Sequence, residues 1–430
     1  MLCFLALALF SAGLPVRTLD SLMESAVRPR GGTATAAVLR LRDGAMLWEH
    51  DSWRRMLPAS TQKVLTASAL RSLLGGSSTL STCVLGTGIW ADSTLSGDIV
   101  LEGNGDPSFA RGPTAMALED LAQELSKKGL RHVRGGVTVR DPLLKPADTF
   151  WPGSWDWDNS LTDCDGGAST GISVDGNCPN DSSLPFPHRA AAAAFRVALS
   201  RAGILVDGPD RFDLGHHSPA QDTLLAVRRS ASLDRLLQEA LAKSSNHDME
   251  TFGMVAGEDD AVSSRQAGLS RVKKRLAKIG LDTQRTSLAD VCGLSRKNAI
   301  LARDMASLLS RIVRDPSMNV FPLLPSPGVG TLKTRFRHGL PIGTRLRAKT
   351  GSLDGVSALV GCLVPSNGDS LVFVLFFQGY NGATAPIRFA QDQIVQVLAG
   401  GHPTHPTAAD TISSASRSKP PRPRPSFLVP

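Results

Sequence analysis

The 430-residue sequence predicts an α+β fold, with one antiparallel five-stranded sheet and helices packed on both of its faces. Three observations predict this fold. A hairpin pattern lies near the start of the chain, three strand patterns follow one another near its end, and mostly helical patterns lie between them. The strands from the two ends are therefore expected to meet in a single sheet.

The first element is a hairpin. Residues 37–42 alternate in polarity, residues 43–44 form an Asp-Gly turn, and residues 45–49 return. A helix is predicted to begin near Pro58 and to end near Leu74, where two glycines follow. Near the other end of the chain, strands are predicted over residues 345–349, 357–364 and 370–377. The last of them is almost wholly apolar, as expected for a strand that is buried in a sheet.

Residues 81–225 differ from their flanks and are predicted to form an inserted, mostly β domain. They contain short strand patterns, many glycines and aspartates, and one alanine-rich helix over residues 189–201. Residues 20–80 and 226–400 would then form one discontinuous domain. Its second part is expected to contain further helices over residues 233–257, 264–279, 300–313 and 386–398.

Both ends of the chain have distinctive compositions. Residues 2–10 are apolar and three small residues follow, which is typical of a secretory signal peptide and its cleavage site. Residues 1–19 are therefore expected to direct export to the periplasm or another extracytoplasmic space. No Lys or Arg precedes the apolar run, so a buried first helix and a wrongly assigned start are the alternatives. Residues 401–430 are rich in Pro, Ser and Arg and are predicted to be a disordered basic tail.

The composition narrows the range of partners. Lys and Arg number 47 and Asp and Glu 39, which gives a net charge of +8 and favours an acidic polymer or surface as a partner. Aromatic residues are only 5% of the chain, with one tyrosine, so few side chains can stack on bases. Nucleic acid is therefore not an expected partner. Peripheral association with a cell wall or a membrane surface fits the charge better.

The chain has six cysteines. Cys164 and Cys178 flank a loop-like stretch and can pair in an oxidising compartment. Cys83, Cys292 and Cys362 are expected to be free and buried. No C-x-x-C occurs and the spacings are too wide for a zinc site, so neither a metal nor another cofactor is expected.

Three motifs carry chemistry, and the first is Ser60-Thr61-Gln62-Lys63. At the start of a helix, side chains three residues apart share one face, so the Ser60 hydroxyl can meet the Lys63 amine. A lysine whose charge is disfavoured by its surroundings can activate a serine. The motif alone is weak, because residues 416–419 also match it. A capping serine beside a solvated lysine is the alternative.

The second motif is Ser244-Ser245-Asn246, near the end of a predicted helix. It offers a hydroxyl for proton transfer and an amide that can hold a substrate carbonyl. Helix capping is the alternative, and Ser317-Met318-Asn319 fits the same pattern. His247 is expected to be a polar surface residue, because no Ser-His-Asp arrangement is evident around it in the sequence.

The third motif is Lys349-Thr350-Gly351-Ser352, at the end of a predicted strand. The lysine supplies a positive charge for a substrate carboxylate, and the threonine hydroxyl adds a hydrogen bond. Gly351 would let a substrate backbone approach the strand edge. The alternative is a charged strand end followed by a turn.

The three motifs are far more specific together than singly, because each falls on a fitting element: a helix start, a helix end and a strand. With them the chain resembles the D-alanyl-D-alanine carboxypeptidase/endopeptidase family of class C low-molecular-mass penicillin-binding proteins, serine peptidase family S13. The long gap between the first two motifs, which holds inserted domains in that family, adds to the resemblance, and so do several shorter stretches. These stretches are residues 101–107, 151–155, 293–296 and 330–332.

The resemblance covers about residues 20–400 and implies a penicillin-binding/serine β-lactamase-like transpeptidase fold. It implies that Ser60 attacks a D-alanyl carbonyl while Lys63 takes its proton. Ser244 would then pass a proton to the leaving amine, and Asn246 would hold the acyl side chain.

The same resemblance implies an oxyanion hole made of the backbone N–H groups of Ser60 and Ser352. Lys349 and Thr350 would bind the terminal carboxylate. Peptidoglycan stem peptides are the implied partners, and β-lactams the implied inhibitors. The chain departs from the family in a shorter insert, in Cys292 where a small residue such as serine is usual, and in residues 163–178.

Two other functions stay open from the sequence. One is a β-lactamase or esterase on the same scaffold, although the small hydrolases lack such an insert. The other is a catalytically inactive wall-binding or scaffolding protein. Hallmarks of other enzyme classes are missing from the sequence, namely H-E-x-x-H, G-x-S-x-G, a P-loop and a complete G-x-G-x-x-G.

Overall fold

The computed structural model describes residues 14–112, 115–155, 167–179, 183–216, 221–337, 339–366 and 368–403. Residues 1–13 of the predicted signal peptide, residues 404–430 of the predicted tail, and Cys164 lie outside these ranges. The predictions made for them therefore stay predictions.

The described helices are α1 (Val16–Val27), α2 (Gln62–Leu74), α3 (Ala117–Lys127), α4 (Pro187–Arg201), α5 (Leu233–Lys243), α6 (Asn246–Ala256), α7 (Ser264–Ala277), α8 (Ala302–Arg314) and α9 (Ala385–Leu398). Short 3-10 turns cover Arg28–Arg30, Ala59–Thr61, Asp175–Asn177, Phe321–Leu323 and Gly330–Leu332. None of the helices in the described part of the chain is long and apolar enough to cross a membrane.

The described strands are β1 (Thr33–Arg40), β2 (Met46–His50), β3 (Arg55–Met56), β4 (Thr79–Gly86), β5 (Trp90–Ala91), β6 (Thr94–Leu95), β7 (Ile99–Gly103), β8 (His132–Val133), β9 (Val137–Asp141), β10 (Leu205–Val206), β11 (Arg211–Leu214), β12 (Thr223–Ser232), β13 (Ile300–Leu301), β14 (Arg345–Leu353), β15 (Val356–Val364) and β16 (Leu371–Gln378).

The chain divides into two compact units. The first holds the described residues of Met1–Thr61, Ala299–Arg314 and Leu324–Ser416. The second holds the described residues of Gln62–Asn298 and Asp315–Leu323. The predicted inserted domain, residues 81–225, was based on amino-acid composition, whereas the two units are defined by contacts. The predicted domain boundaries therefore stay a prediction.

The first unit is built on a five-stranded sheet in the order β14-β15-β16-β1-β2. Every neighbouring pair in it is antiparallel. Two of its strands come from the start of the chain and three from its end, so the predicted α+β fold is confirmed. β14 continues four residues beyond its predicted end at Lys349, and the whole third motif therefore lies within a strand.

Helices cover both faces of this sheet, as predicted. α1 and α9 pack on each other and on one face, whereas α8 packs on the other face against β1 and β16. The core under α1 and α9 is apolar and includes Leu19, Trp48, Phe373, Phe377 and Ile394. Since α1 begins at Val16, it overlaps the last residues of the predicted signal peptide.

Among its described residues, the second unit contains a five-stranded and a four-stranded sheet. One has the order β11-β9-β7-β4-β12 and mixes parallel with antiparallel pairs, and the other has the order β10-β8-β6-β5. α3 and α4 pack together beside them, around a core that includes Phe109, Leu121 and Phe195. α4 is the predicted alanine-rich helix.

Four helices of the second unit, α2, α5, α6 and α7, form a cluster around α2 and α6. α6 and α7 approach so closely that a Cβ atom on Gly268 would lie 1.8 Å from the Gly253 carbonyl oxygen. Only glycine fits at this crossing. The cluster carries the buried lysine of the first motif and all of the second.

Candidate active site

Ser60 lies in the 3-10 turn Ala59–Thr61, which directly precedes α2 in the chain. Ala59 has a φ of 47°, in the left-handed region that residues with a side chain rarely adopt. Thr61 holds the turn, because both its hydroxyl and its backbone N–H donate to the Pro58 carbonyl, at 2.5 and 3.2 Å. Backbone strain of this kind costs about 1–3 kcal/mol and is concentrated at functional sites.

The third motif packs directly on this turn. A Cβ atom on Gly351 would lie 2.8 Å from the Pro58 carbonyl oxygen and 3.1 Å from Ala59 Cβ. β14 therefore approaches the turn as closely as a glycine allows. In the structure, the segment that lies close to Gly351 is Pro58–Ala59 of the same protein. The approach of a substrate backbone to Gly351 stays a prediction.

β14 is an edge strand of its sheet. The backbone N–H of Ala348 donates to Pro325, at 3.1 Å, on the side away from β15. Because alternate residues of a strand direct their N–H groups to the same side, those of Thr350 and Ser352 face this outer edge too. A strand edge of this kind can pair with an extended peptide.

The side chains of the third motif differ in exposure. Lys349 is fully buried, Thr350 is half-buried and Ser352 is exposed. The Lys349 Nζ donates to the Thr350 carbonyl at 2.8 Å. By alternation, Thr350 and Ser352 share their face of β14 with Ala348, which belongs to the core under α1 and α9.

In the second unit, the structure brings together the predicted lysine and asparagine. Lys63 is fully buried in α2. Its Nζ donates to Asn246 Oδ1 at 2.6 Å and to the Cys292 carbonyl at 2.7 Å. The two hydrogen bonds fix the position of the amine between α6 and the turn that contains Cys292.

The second motif does not lie near the end of one helix. The helix predicted over residues 233–257 is interrupted at Ser244, which adopts φ 61° and ψ 33° and ends α5. Ser245 begins α6 by accepting a hydrogen bond from the Asp248 N–H at 3.1 Å. The prediction of a continuous helix was wrong, because the apolar periodicity continues through a residue in the left-handed conformation.

The Cys292 carbonyl, the second acceptor for Lys63, lies in a turn held by a buried carboxylate. Glu250 Oε1 accepts from the backbone N–H groups of Val291 and Cys292, both at 2.8 Å. Glu250 also pairs with Arg265 at 3.1 Å. Burial raises the pKa of the Glu250 carboxyl.

Glu250, Asp290 and Cys292 each place a possible ligand atom within 4.8 Å of the other two. Asp290 Oδ1 already accepts from Gly293 N–H and the Asn298 amide, both at 2.8 Å. Carboxylates surrounded by N–H donors in this way are typical of groups that hold backbone in place. The cluster therefore has a structural role here, and we propose no metal for it.

Sequence analysis did not identify Glu250 and Asp290. The sequence signal nearest to them was the resemblance of residues 293–296 to the family. It indicated a motif beside the Cys292 turn, but it did not indicate which side chains hold that turn. Cys292 accepts a hydrogen bond from Lys63 through its carbonyl, which any residue at this position would also offer.

His247 is buried, so the prediction of a surface residue was wrong. Its Nε2 lies 2.9 Å from Ser173 Oγ, and its Nδ1 lies 3.1 Å from Asp248 Oδ1. A Ser-His-Asp arrangement therefore exists, but Ser173 is 1% exposed. A substrate has no access to that hydroxyl, and the arrangement is a packing feature beside Asn246. The sequence concealed it because Ser173 is far from His247 in the chain.

Asp248 also forms an ion pair with Arg111, with two contacts of 3.0 Å. Burial alone would raise the pKa of Asp248. The hydrogen bond with His247 and the guanidinium of Arg111 outweigh burial, and they hold that pKa well below its usual range. The pair joins the loop that carries Arg111 to the first turn of α6.

Three cysteines, Cys83, Cys292 and Cys362, are free thiols, as predicted. Of these three, only Cys292 is buried, so the prediction of burial was wrong for Cys83 and Cys362, which are partly exposed. Burial raises the pKa of the Cys292 thiol well above its usual value. Cys178 is disulfide-bonded. Since Cys164 lies outside the described residues, its pairing with Cys178 stays a prediction.

We expect Gly351→Ala to lower the free energy of unfolding by about 1–3 kcal/mol, because the added Cβ overpacks the contact with Pro58. Gly153→Ala is the matched control, since a Cβ there would meet no atom within 4 Å. Its effect should stay within about 0.5 kcal/mol. Urea unfolding measures both, and equal effects of the two substitutions would contradict the packing described.

We expect Asp248→Asn to lower the free energy of unfolding by about 3 kcal/mol at pH 7, because it removes the buried Asp248 charge that pairs with the half-buried Arg111. A depressed carboxyl pKa contributes stability above the unfolded value near 3.9 and loses it as the pH falls toward the folded value. The difference from wild type should thus shrink by about 1 kcal/mol between pH 5 and pH 3.

Urea unfolding at the two pH values tests this expectation. Asp259→Asn is the control, because Asp259 pairs with Arg271 at the surface, at 3.3 Å. That substitution should cost less than about 1 kcal/mol. A difference between wild type and Asp248→Asn that is the same at pH 5 and pH 3 would contradict the ion pair.

Comparison with known proteins places these features in a family. The model of the D-Ala-D-Ala carboxypeptidase 3 (S13) family matches residues 18–183 and 169–400, which is most of the chain. The D-alanyl-D-alanine carboxypeptidase DacB of Haemophilus influenzae is 25% identical, over 86% of this chain and 90% of that protein. The carboxypeptidase DacB of Mycolicibacterium smegmatis is 28% identical, over 88% of this chain and 83% of that protein.

Solved structures show a similar fold. The crystal structure of penicillin binding protein 4 (dacB) from Haemophilus influenzae aligns with a TM-score of 0.76 at 24% identity, over 90% of this chain and 98% of that one. The same protein in complex with a β-lactam aligns with a TM-score of 0.70. The predicted penicillin-binding fold is thereby confirmed, and the chain belongs to the S13 family of D-Ala-D-Ala carboxypeptidases.

Proposed function

We propose that this S13 enzyme, a serine D-Ala-D-Ala carboxypeptidase, hydrolyses the D-alanyl-D-alanine ends of peptidoglycan stem peptides through an acyl-enzyme on Ser60. One observation carries the assignment of the site. The buried amine of Lys63 donates to Asn246 at 2.6 Å, which joins the first motif to the second. Neither a capping role for Asn246 nor a solvated Lys63 accounts for that contact.

In the first step, Ser60 Oγ attacks the carbonyl carbon of the penultimate D-alanine and Lys63 takes the hydroxyl proton. Full burial disfavours a charged amine. A neutral amine has two N–H groups, and Asn246 and the Cys292 carbonyl are two acceptors for them. The lone pair of the nitrogen is then the base.

The tetrahedral intermediate carries a negative oxygen. We assign its stabilisation to the backbone N–H groups of Ser60 and Ser352. The position of the Ser352 N–H on the outer edge of β14 supports this assignment. Lys349 and Thr350 would bind the terminal carboxylate of the peptide, and Asn246 would hold the acyl side chain.

The scissile C–N bond then breaks, and Ser244 passes a proton to the departing amine of D-alanine. Water attacks the ester on Ser60, which releases the shortened peptide and restores the hydroxyl. A β-lactam would acylate Ser60 in the same way, but its amine stays attached to the acyl group after the ring opens. The same chemistry would cut a D-alanyl bond to a diamino acid in a cross-link.

We place this enzyme outside the cytoplasmic membrane, where its substrate lies. A disulfide at Cys178 supports an oxidising compartment. The net charge of +8 favours peripheral association with the wall or with an anionic membrane surface. Because Leu19 is buried in the core of the first unit, we place the cleavage of a signal peptide ahead of Val16.

The first test is the intact mass after incubation with benzylpenicillin, together with the release of D-alanine from a pentapeptide. We expect one adduct on the tryptic peptide that contains Ser60. Ser60→Ala should show no adduct, and its D-alanine release should fall by several orders of magnitude, because the nucleophile is lost. Ser416→Ala, from the other S-x-x-K match, is the matched control and should behave as the wild type.

An adduct on the Ser60→Ala protein would overturn the assignment of the nucleophile. Rapid turnover of a chromogenic cephalosporin would favour a β-lactamase. Binding to purified peptidoglycan with no D-alanine release, and with no change in Ser60→Ala, would favour a scaffolding protein.

Ser244→Ala tests the proton transfer to the leaving amine. We expect kcat for D-alanine release to fall by about 10²–10⁴-fold, the usual contribution of a general acid or base. Ser317→Ala, from the other S-x-N match, should change kcat by less than about twofold, since exposed hydroxyls remote from chemistry contribute little. Steady-state kinetics that gave equal values for the two variants would contradict the role of Ser244.

A further inference from the structure

The positive charge of the protein is concentrated in the first unit. Residues 14–61, 299–314 and 324–403 of that unit contain 17 Lys and Arg against 9 Asp and Glu, a net charge of +8. Residues 62–298 and 315–323, in the second unit, contain 26 against 29, a net charge of −3. An anionic surface is therefore attracted to the first unit and not to the second.

Within the first unit, three connections meet at one end of the five-stranded sheet. Because neighbouring strands are antiparallel, the β1–β2 turn, the β15–β16 turn and the segment that leads into β14 share this end. The Leu41 N–H donates to the Ser370 carbonyl at 2.8 Å, which joins the first two. A Cβ atom on Gly343 would lie 2.9 Å from Ser366 Cβ, so the third packs beside them. We call this the turn end of the sheet.

Four arginines lie at the turn end. Arg40 and Arg42 form ion pairs with aspartates of the β1–β2 and β15–β16 turns. Arg314 is the last residue of α8, and its guanidinium donates to a backbone carbonyl that follows β1. Arg345 is the first residue of β14. Arg314 and Arg345 are both exposed, so their charges are accessible to an anion.

An isoleucine projects from the same end. The Thr344 N–H donates to the Pro341 carbonyl at 3.0 Å and Gly343 has a φ of 82°, as in a type II turn. Ile342 occupies a corner of that turn. Its exposure of 96% is the highest of any large apolar residue in the described part of the chain. Single exposed apolar residues are common, but one at a turn corner beside exposed arginines suits the interface of a membrane.

The C-terminal segment is attached at the turn end as well. A Cβ atom on Gly401 would lie 3.2 Å from Pro341 Cγ, so the chain that follows α9 passes beside the turn that carries Ile342. Residues 404–430 come next, and their sequence contains four Lys and Arg and one Asp. A net charge of +3 is therefore tethered beside that turn.

We propose that the turn end is a membrane-binding surface. Ile342 enters the interface of a bilayer that contains anionic phospholipids, while Arg314, Arg345 and the basic C-terminal segment bind the phosphates of the headgroups. One apolar side chain or a few charges alone bind a membrane weakly, whereas the two together hold a protein there reversibly. The inference rests on the extracytoplasmic location of the proposed function.

This surface separates the membrane from the catalytic end of the sheet. β14 begins at the turn end with Arg345 and carries the third motif, and Ser352 follows Arg345 by seven residues. At about 3.4 Å per residue, the two lie about 24 Å apart along the strand. The strand end used by the proposed mechanism therefore points away from the bilayer, toward the peptidoglycan.

Co-sedimentation of the exported protein with unilamellar vesicles tests the surface. We expect binding to vesicles of phosphatidylglycerol and phosphatidylcholine in equal parts, and binding about tenfold weaker or less to pure phosphatidylcholine. Ile342→Ser should weaken binding to the anionic vesicles by about tenfold, because an apolar contact is lost. Arg345→Gln should weaken it by about fivefold at about 0.1 M NaCl, and this difference should vanish near about 0.5 M, where salt screens the charge.

Three controls accompany these variants. Ile89→Ser is matched to Ile342→Ser, since Ile89 is 73% exposed in the second unit, and it should bind vesicles as the wild type does. Ser60→Ala should also bind as the wild type does, so a failure of the acyl-enzyme assignment leaves this test unaffected. Ile342→Ser should keep kcat/KM for D-alanine release from a soluble pentapeptide within about twofold.

Three outcomes would overturn the inference. The first is that the wild type does not bind anionic vesicles. The second is vesicle binding that neither Ile342→Ser nor Arg345→Gln weakens, because the C-terminal segment alone would then account for it. The third is retention on purified peptidoglycan that depends on Ile342 in the absence of vesicle binding, which would assign the turn end to the wall.

Discussion

The fully buried amine of Lys63 is the constraint that determines how α6 and the Cys292 turn are positioned in the second unit. A nitrogen buried in this way needs acceptors at short range, and Asn246 and the Cys292 carbonyl supply them at 2.6 and 2.7 Å. Each acceptor is held in turn. α6 begins at Asn246 because Ser244 breaks the preceding helix, and Glu250 fixes the backbone of the Cys292 turn. The break between α5 and α6 and the buried Glu250 carboxylate therefore both help to fix the position of the Lys63 Nζ.

The first unit is arranged around a strand that stays at the edge of its sheet. β14 is covered on its outer side at Ala348, where Pro325 accepts a hydrogen bond, and the groups beyond it face outward. Gly351 allows the Ser60 turn to pack on the same strand. An edge of this kind is normally a risk for aggregation, and proteins keep one open where a peptide has to bind.

A buried charge in the second unit is satisfied by its neighbours. Asp248 is buried between His247 and Arg111, which satisfy its oxygens and stabilise the charged form. In the first unit, Asp392 accepts from Arg335 at 2.6 Å and from the Phe336 N–H at 3.0 Å. Carboxylates that are satisfied in this way hold the backbone around them in place.

The sequence by itself determined the five strands of the main sheet, the helices on its faces and the three motifs. Apolar periodicity reports which face of an element is buried, and short motifs report chemistry within one turn. Only the tertiary structure decided the break at Ser244, the burial of His247 and the use of the Cys292 carbonyl. Each of these depends on a backbone conformation that periodicity does not register, or on partners that are distant in the chain. Local patterns carry no information about such contacts.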